Sequence, residues 1–117
     1  MQPIKPSKNV GNKIIFENEK IILWDFEIAI GEETELHTHE KSYIWYTTQG
    51  STLQVLDRNR ENCGVLELPT GGIVSLNVKD DVIEITSEIG NGAKLPATHL
   101  AKNIGNSVYR EILLEFK

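Results

Sequence analysis

Three histidines, His37, His39 and His99, are the side chains of this sequence best suited to chemistry. His37 and His39 stand two residues apart. On a strand, such positions project from one face about 6–7 Å apart, so two imidazoles there can ligate one metal ion. His99 follows much later and must be supplied by a different strand or loop. A close pair that sets direction and a remote ligand that closes the cage is a workable metal site for a β-barrel. One divalent transition metal ion is therefore the expected cofactor. Neutral imidazoles suit Zn(II), Fe(II), Ni(II), Cu(II) or Mn(II), and residue types do not choose among them. The competing reading is a β-sandwich whose histidines are structural and hold nothing. Two features favour the metal: His37 and His39 continue the inward parity of Trp24, Phe26 and Ile28, and the chain has no other histidine.

Other polar and aromatic residues fall around this set. Glu35 shares the parity of His37, so it either faces the barrel mouth as a base or extra ligand, or is a solvated carboxylate at a strand end. Trp45 and Phe26 read as the apolar wall of a substrate pocket, or as ordinary core. Glu84 reads as solvent-facing. Cys63 is the single cysteine, which excludes an internal disulfide and a CxxC site. No neighbouring His or Lys in sequence would lower its pKa, so it reads as inert. No P-loop, GxGxxG, GxSxG or HExxH occurs, and no nucleotide-cofactor site is expected. Ser42, Ser51 and Ser75 have no recognisable base partner.

The elements that must position the histidines are strands. Ile22, Trp24, Phe26, Ile28 and Ile30 alternate with Asp25 and Glu27 on the opposite face, the pattern of a strand with one buried side. Residues 13–16 start the same pattern, 35–39 resume it after Gly31, and 43–48 are rich in aromatic and β-branched residues. Short strands are expected at 53–56, 65–68, 73–78 and 82–86, the last two joined as a hairpin by Lys79-Asp80-Asp81. Pro69-Thr70-Gly71-Gly72 is a turn signal, and 88–93 reads as a loop. Residues 94–102 read as a loop or a single helical turn. The final strand spans 108–116, with Ile112, Leu114 and Phe116 on one face. Many short strands at even spacing imply a sandwich or barrel.

At 117 residues the chain fits one domain, expected over 13–117 behind an irregular arm at 1–12. Hydrophobic residues make up 39% and charged residues 25%, as in ordinary globular chains. The net charge of -5 argues against nucleic acid, which needs clustered Lys and Arg. No segment approaches the roughly 20 apolar residues of a membrane helix, and residues 1–12 lack the apolar run of a signal peptide. No membrane partner is expected, and the cytoplasm is the expected location.

The run from Gly31 through Glu35, His37 and His39 to Gly50 resembles the first motif of the cupins: a glycine, five residues, HxH and a closing glycine. Pro96, His99 and Asn103 are similar to the second motif. Trp24, Asp25 and Phe26 before Gly31, and Leu53 after Gly50, resemble small single-domain cupins, above all short proteins associated with β-alanine degradation. The likeness runs from about Lys20 to the end. It implies an all-β fold, a double-stranded β-helix or jelly-roll barrel, with a metal on His37, His39 and His99. One position departs from the pattern: Tyr43 stands where the motif places a Glu ligand. Tyr43 then reads as a catalytic acid or hydrogen-bond donor beside a three-histidine metal. The segment between the motifs is also longer, by roughly one hairpin.

Two functions follow from the likeness: a mononuclear metalloenzyme of dioxygenase, isomerase or hydrolase type acting on a small polar or anionic metabolite, or a non-catalytic barrel that senses a small ligand. A homodimer is expected, because cupins commonly pair through strands and the edge near residues 13–16 needs cover.

Overall fold

The computed structural model of the chain describes residues 5–117; residues 1–4 of the expected arm lie outside it. Among the described residues, eleven strands form two antiparallel sheets. The larger sheet has seven strands in the order β1 (Lys13–Glu17), β2 (Ile21–Ile28), β11 (Tyr109–Phe116), β4 (Tyr43–Gln49), β7 (Ile73–Lys79), β8 (Val82–Ile85) and β9 (Lys94–Pro96). The smaller sheet orders β3 (His37–Thr38), β10 (Thr98–Asn103), β5 (Ser51–Leu56) and β6 (Asn62–Leu68). The two sheets enclose one core in a jelly roll. No helix occurs among the described residues, and so none that could cross a membrane.

The core follows the alternation of the strands. β2 buries Trp24, Phe26 and Ile28, and β4 buries Tyr43, Trp45 and Thr47. β7 and β8 form the expected hairpin, with Asp80 and Asp81 both at positive φ (53° and 64°), the geometry of a tight primed turn. The two motif glycines meet separate demands. Gly31 turns the chain at φ 79°. Gly50 lies against the next turn, where an added Cβ would strike the Leu68 carbonyl and come within 2.7 Å of the Thr70 nitrogen.

Four expectations change. Residues 94–102 are neither loop nor helical turn: they lie in β9 and β10, and β10 is paired on both sides, with β3 and β5. The final strand is turned over. Tyr109, Glu111, Leu113 and Glu115 face inward, while Ile112 and Leu114 are half-buried and Phe116 is exposed. Every residue of β1 is exposed, because β1 is an edge strand with no sheet packed over it. Ile30 lies beyond the end of β2 and is exposed.

Residues 5–12 run along the opening of the fold. Thr38 donates to the Ser7 carbonyl at 2.9 Å, Ser7 donates to the Leu36 carbonyl at 3.0 Å, and Val10 is fully buried.

Candidate metal centre

The three histidines meet because β3 pairs with β10. His37 lies directly across from His99, and Thr38 from Thr98, so His37 and His99 are cross-strand neighbours on one face. The outer side of the pair is tied by the two threonine hydroxyls at 2.9 Å. His39 follows β3, its N–H donating to the Ala97 carbonyl at 2.9 Å. That bond holds the chain in register long enough to place a second imidazole beside the first. Ring centroids lie 4.6 Å apart for His37 and His99, and 5.0 Å apart for each of the other two pairs. One ring nitrogen from each lies within 4.8 Å of the others.

Two of the rings are oriented by the backbone. Nδ1 of His37 is 3.0 Å from the Glu35 carbonyl, and Nδ1 of His99 is 2.7 Å from the Pro96 carbonyl. A carbonyl only accepts, so in each ring Nδ1 carries the hydrogen and Nε2 keeps its lone pair. His39 differs. Its Nδ1 is, among the described residues, the one buried side-chain N or O atom without a hydrogen-bond partner. Such an atom is costly unless something satisfies it.

Burial lowers the pKa of all three rings. Desolvation is the largest cause for each; the charges of His99 and His37 lower His39 further, and His99 is brought down to about 3. All three are therefore neutral near pH 7, the form that ligates. Three neutral imidazoles, two of them fixed by carbonyls and one with an orphaned nitrogen, fit a divalent transition metal.

Tyr43 stacks on His39, with ring centroids 4.1 Å apart and planes 8° apart. Burial raises its phenol well above 10, and Glu111 and Glu115 push the same way. Without a metal the phenol keeps its proton. Trp45 and Phe26 line the same inner cavity as the histidines and Tyr43, a space of about 50 Å³. Glu35 does not join them. Its side chain is exposed and borders an outer cleft of about 480 Å³, because residues 33–36 precede β3 at the rim. Val10, Phe26 and His37 line both spaces, so the cleft lies against the histidine cavity. Glu27, Glu32, Glu33 and Glu35 edge that cleft, with Glu33 paired to Arg60 at 3.0 Å and Glu27 to Arg110 at 3.1 Å.

Asn103 holds loops rather than the site. It is fully buried, its Nδ2 donates to the Ile28 and Ser107 carbonyls, and its Oδ1 accepts from Ser51 and from the Gly105 N–H. Glu84 faces solvent. Burial raises the Cys63 thiol, as an unreactive cysteine requires.

Glu111 is the residue that sequence reasoning passed over. It is 3% exposed and lines the inner cavity. Its Oε1 accepts the Tyr109 hydroxyl at 2.7 Å; Tyr109 is 3.1 Å from the Thr47 hydroxyl, which in turn accepts from Trp45 Nε1 at 3.1 Å. The signal was its shared parity with Tyr109 and Glu115, masked by the apolar residues between them.

No family model matches the sequence, and no curated protein is similar to it. Among solved structures, the fold is similar to a cupin domain from Bordetella pertussis Tohama I, with a TM-score of 0.64 and 15% identity over 97% of this chain and 98% of that one. It is also similar to a conserved protein with a double-stranded β-helix domain from Klebsiella pneumoniae, at a TM-score of 0.55 and 15% identity over 97% and 78% of the two chains. A third is the polyketide cyclase RemF from Streptomyces resistomycificus, at 0.50 and 15% identity over 85% and 56%. These likenesses show the fold: the chain is a cupin-type double-stranded β-helix. The narrower likeness to proteins of β-alanine degradation is not shown by them.

Proposed function

We propose that this chain is a small mononuclear metalloenzyme acting on a small polar or anionic metabolite. The observation that carries the reading is the set of three buried, neutral histidines, one with an orphaned ring nitrogen, facing a cavity that borders an outer cleft. His37, His39 and His99 would hold the ion. When bound, the ion would supply Lewis-acid polarisation of a carbonyl or carboxylate, or oxygen binding if it is iron, so dioxygenation, isomerisation and hydrolysis are the reaction classes in view.

The remaining groups act by binding and by holding protons. Tyr43, stacked on His39 and keeping its proton, is suited to donate to a substrate oxygen rather than to ligate as a phenolate. Trp45 and Phe26 close the apolar wall and exclude water. An inner cavity of about 50 Å³ takes only the reacting end of a substrate, and the outer cleft of about 480 Å³ takes the rest. The glutamates at its edge favour entry of a neutral molecule or monoanion over a dianion. A non-catalytic barrel that binds a small ligand is the second reading. The Tyr43 phenol, stacked on His39 and holding its proton, favours the enzyme, because it sets a proton donor beside the ion site.

Elemental analysis of purified protein should find close to one divalent transition metal per chain, and His37→Ala should lose it. No metal in the wild type, with thermal stability indifferent to added Zn(II), Fe(II) and Ni(II), would sink the reading. With metal present, oxygen uptake against a panel of small acids and thiols tests the dioxygenase branch.

A second copy of the chain is the proposed partner. The outward face of the larger sheet carries a continuous cross-strand row of Phe16, Leu23, Leu114 and Ile44, and a second row of Ile112, Tyr46 and Ile73. Arg110 and Lys117 at its borders are paired within the chain, with Glu27 and Glu17, and Asp25 at the end of the second row lies across from Lys13. An apolar face with neutralised borders is self-complementary under two-fold symmetry.

A further inference from the structure

We infer that Glu111 is the second recognition group of the inner cavity, binding through Oε2 the far oxygen of a small monocarboxylate whose near oxygen reaches the three-histidine metal. The inference rests on the metal reading above and names the ligand class.

Four observations carry it. First, Glu111 is buried in an otherwise largely apolar cavity, and none of the salt bridges among the described residues involves it. A carboxyl group so placed is costly unless something needs it there. Second, its hydrogen bonds point one way. Trp45 Nε1 can only donate, and it donates to Thr47. The Tyr109 hydroxyl is spent on Glu111, so the Thr47 hydroxyl must donate to Tyr109. Three successive donors thus fix Oε1 and leave Oε2 for the cavity. Third, the pairing of β11 with β4 shifts at this residue: Arg110 faces Gln49 but Glu111 faces Thr47, so Thr48 is an extra residue on β4. Bulges of this kind re-aim side chains beside sites. Fourth, among the described residues no carboxylate oxygen joins the three ring nitrogens that lie within 4.8 Å of one another. Glu111 therefore acts across the cavity rather than in the ligand set.

The cavity holds a ligand of formate to acetate size. Two carboxyl groups in one desolvated space cannot both ionise at little cost, so one proton is shared between them. That sharing selects a monocarboxylate over a neutral ligand of the same shape.

The test uses Co(II)-loaded protein and formate as the probe, read by the Co(II) absorption spectrum and by calorimetry. Glu111→Gln keeps an N–H donor and should bind formate within about threefold of wild type. Glu111→Met keeps the length and removes the hydrogen bond, and should bind one Co(II) per chain but formate about 10- to 100-fold more weakly. Glu111→Leu serves in its place if the Met variant does not fold. Unchanged formate affinity in the apolar variant overturns the inference, as does loss of its Co(II), which would make Glu111 part of the metal-holding set. If wild type takes up no Co(II), the metal reading fails and this inference fails with it.

Discussion

Replacing Glu111 by Gln should flatten the pH dependence of stability on the alkaline side. Burial pushes the Glu111 carboxyl from 4.5 up to about 8, against the opposing pull of the Tyr109 hydrogen bond. A carboxyl whose folded pKa is raised contributes stability that is fully present below 4.5 and is lost as the pH rises through about 8. The three histidines run the other way. Their folded pKa values are lowered from 6.5, so their contribution is present above 6.5 and is lost as the pH falls, towards about 3 for His99. From pH 6.5 to 8 the histidines of the unfolded chain finish losing their protons, a gain of stability common to both proteins, so the share of Glu111 is read as the difference between the two profiles. Over about one and a half pH units at about 1.4 kcal/mol per unit, Glu111 should remove about 2 kcal/mol of stability from metal-free wild type. Urea unfolding with chelator present, at pH 6.5, 7.25 and 8, measures it. In Glu111→Gln that share should vanish, leaving the histidine gain set against the share of Glu115, whose carboxyl burial also raises. Parallel profiles for the two proteins would refute the reasoning, since they would mean that Glu111 titrates alike in the folded and unfolded chains.

Other substitutions probe other parts. His99→Ala should abolish metal binding and the stabilisation that added Zn(II) gives, read as a thermal shift that wild type shows and the variant lacks. Asn103→Ala removes four hydrogen bonds from a fully buried position and should cost about 3 kcal/mol or more in chemical denaturation, with metal stoichiometry unchanged in the folded fraction. Gly50→Ala drives a Cβ into the Leu68 carbonyl and should cost about 1–3 kcal/mol, seen as a lower urea midpoint. Leu114→Lys places a charge in the middle of the outer apolar row, so sedimentation should find a dimer in wild type and a monomer in the variant.

Much of the fold was legible because period-two alternation is a direct imprint of a half-buried strand. Trp24, Phe26 and Ile28 announced β2, and the same rule put His37 and His39 on one face. His99 was legible only through its motif-like spacing, because the strand that carries it reads poorly: Pro96, Thr98, Lys102 and Asn103 look like loop residues. Its pairing on both sides, with β3 and β5, overrides that local preference. The relay from Trp45 to Glu111 was hidden for a different reason. It depends on the pairing of β4 with β11 and on a register shift between Arg110 and Glu111, and neither leaves a mark in local sequence. Tyr43 was readable as a departure from a motif, but its stacking on His39 was not.

The turned-over final strand bears on how the chain finds its register. A slip by one residue would swing Ile112, Leu114 and Phe116 towards the core and put both glutamates in water. By apolar burial alone that misregistered sheet competes well with the native one. What separates the two is polar: the cross-strand bond of the Thr47 hydroxyl to Tyr109, which completes the relay to Glu111, and the Trp24 indole on Glu115 at 3.3 Å. Those contacts are worth little in an extended chain and form only once β2, β11 and β4 are already side by side. Glu111 is then a proofreading group for folding as well as a group of the cavity. Variants that silence it for binding studies should refold more slowly, through a population in which the last strand is paired one residue out of place.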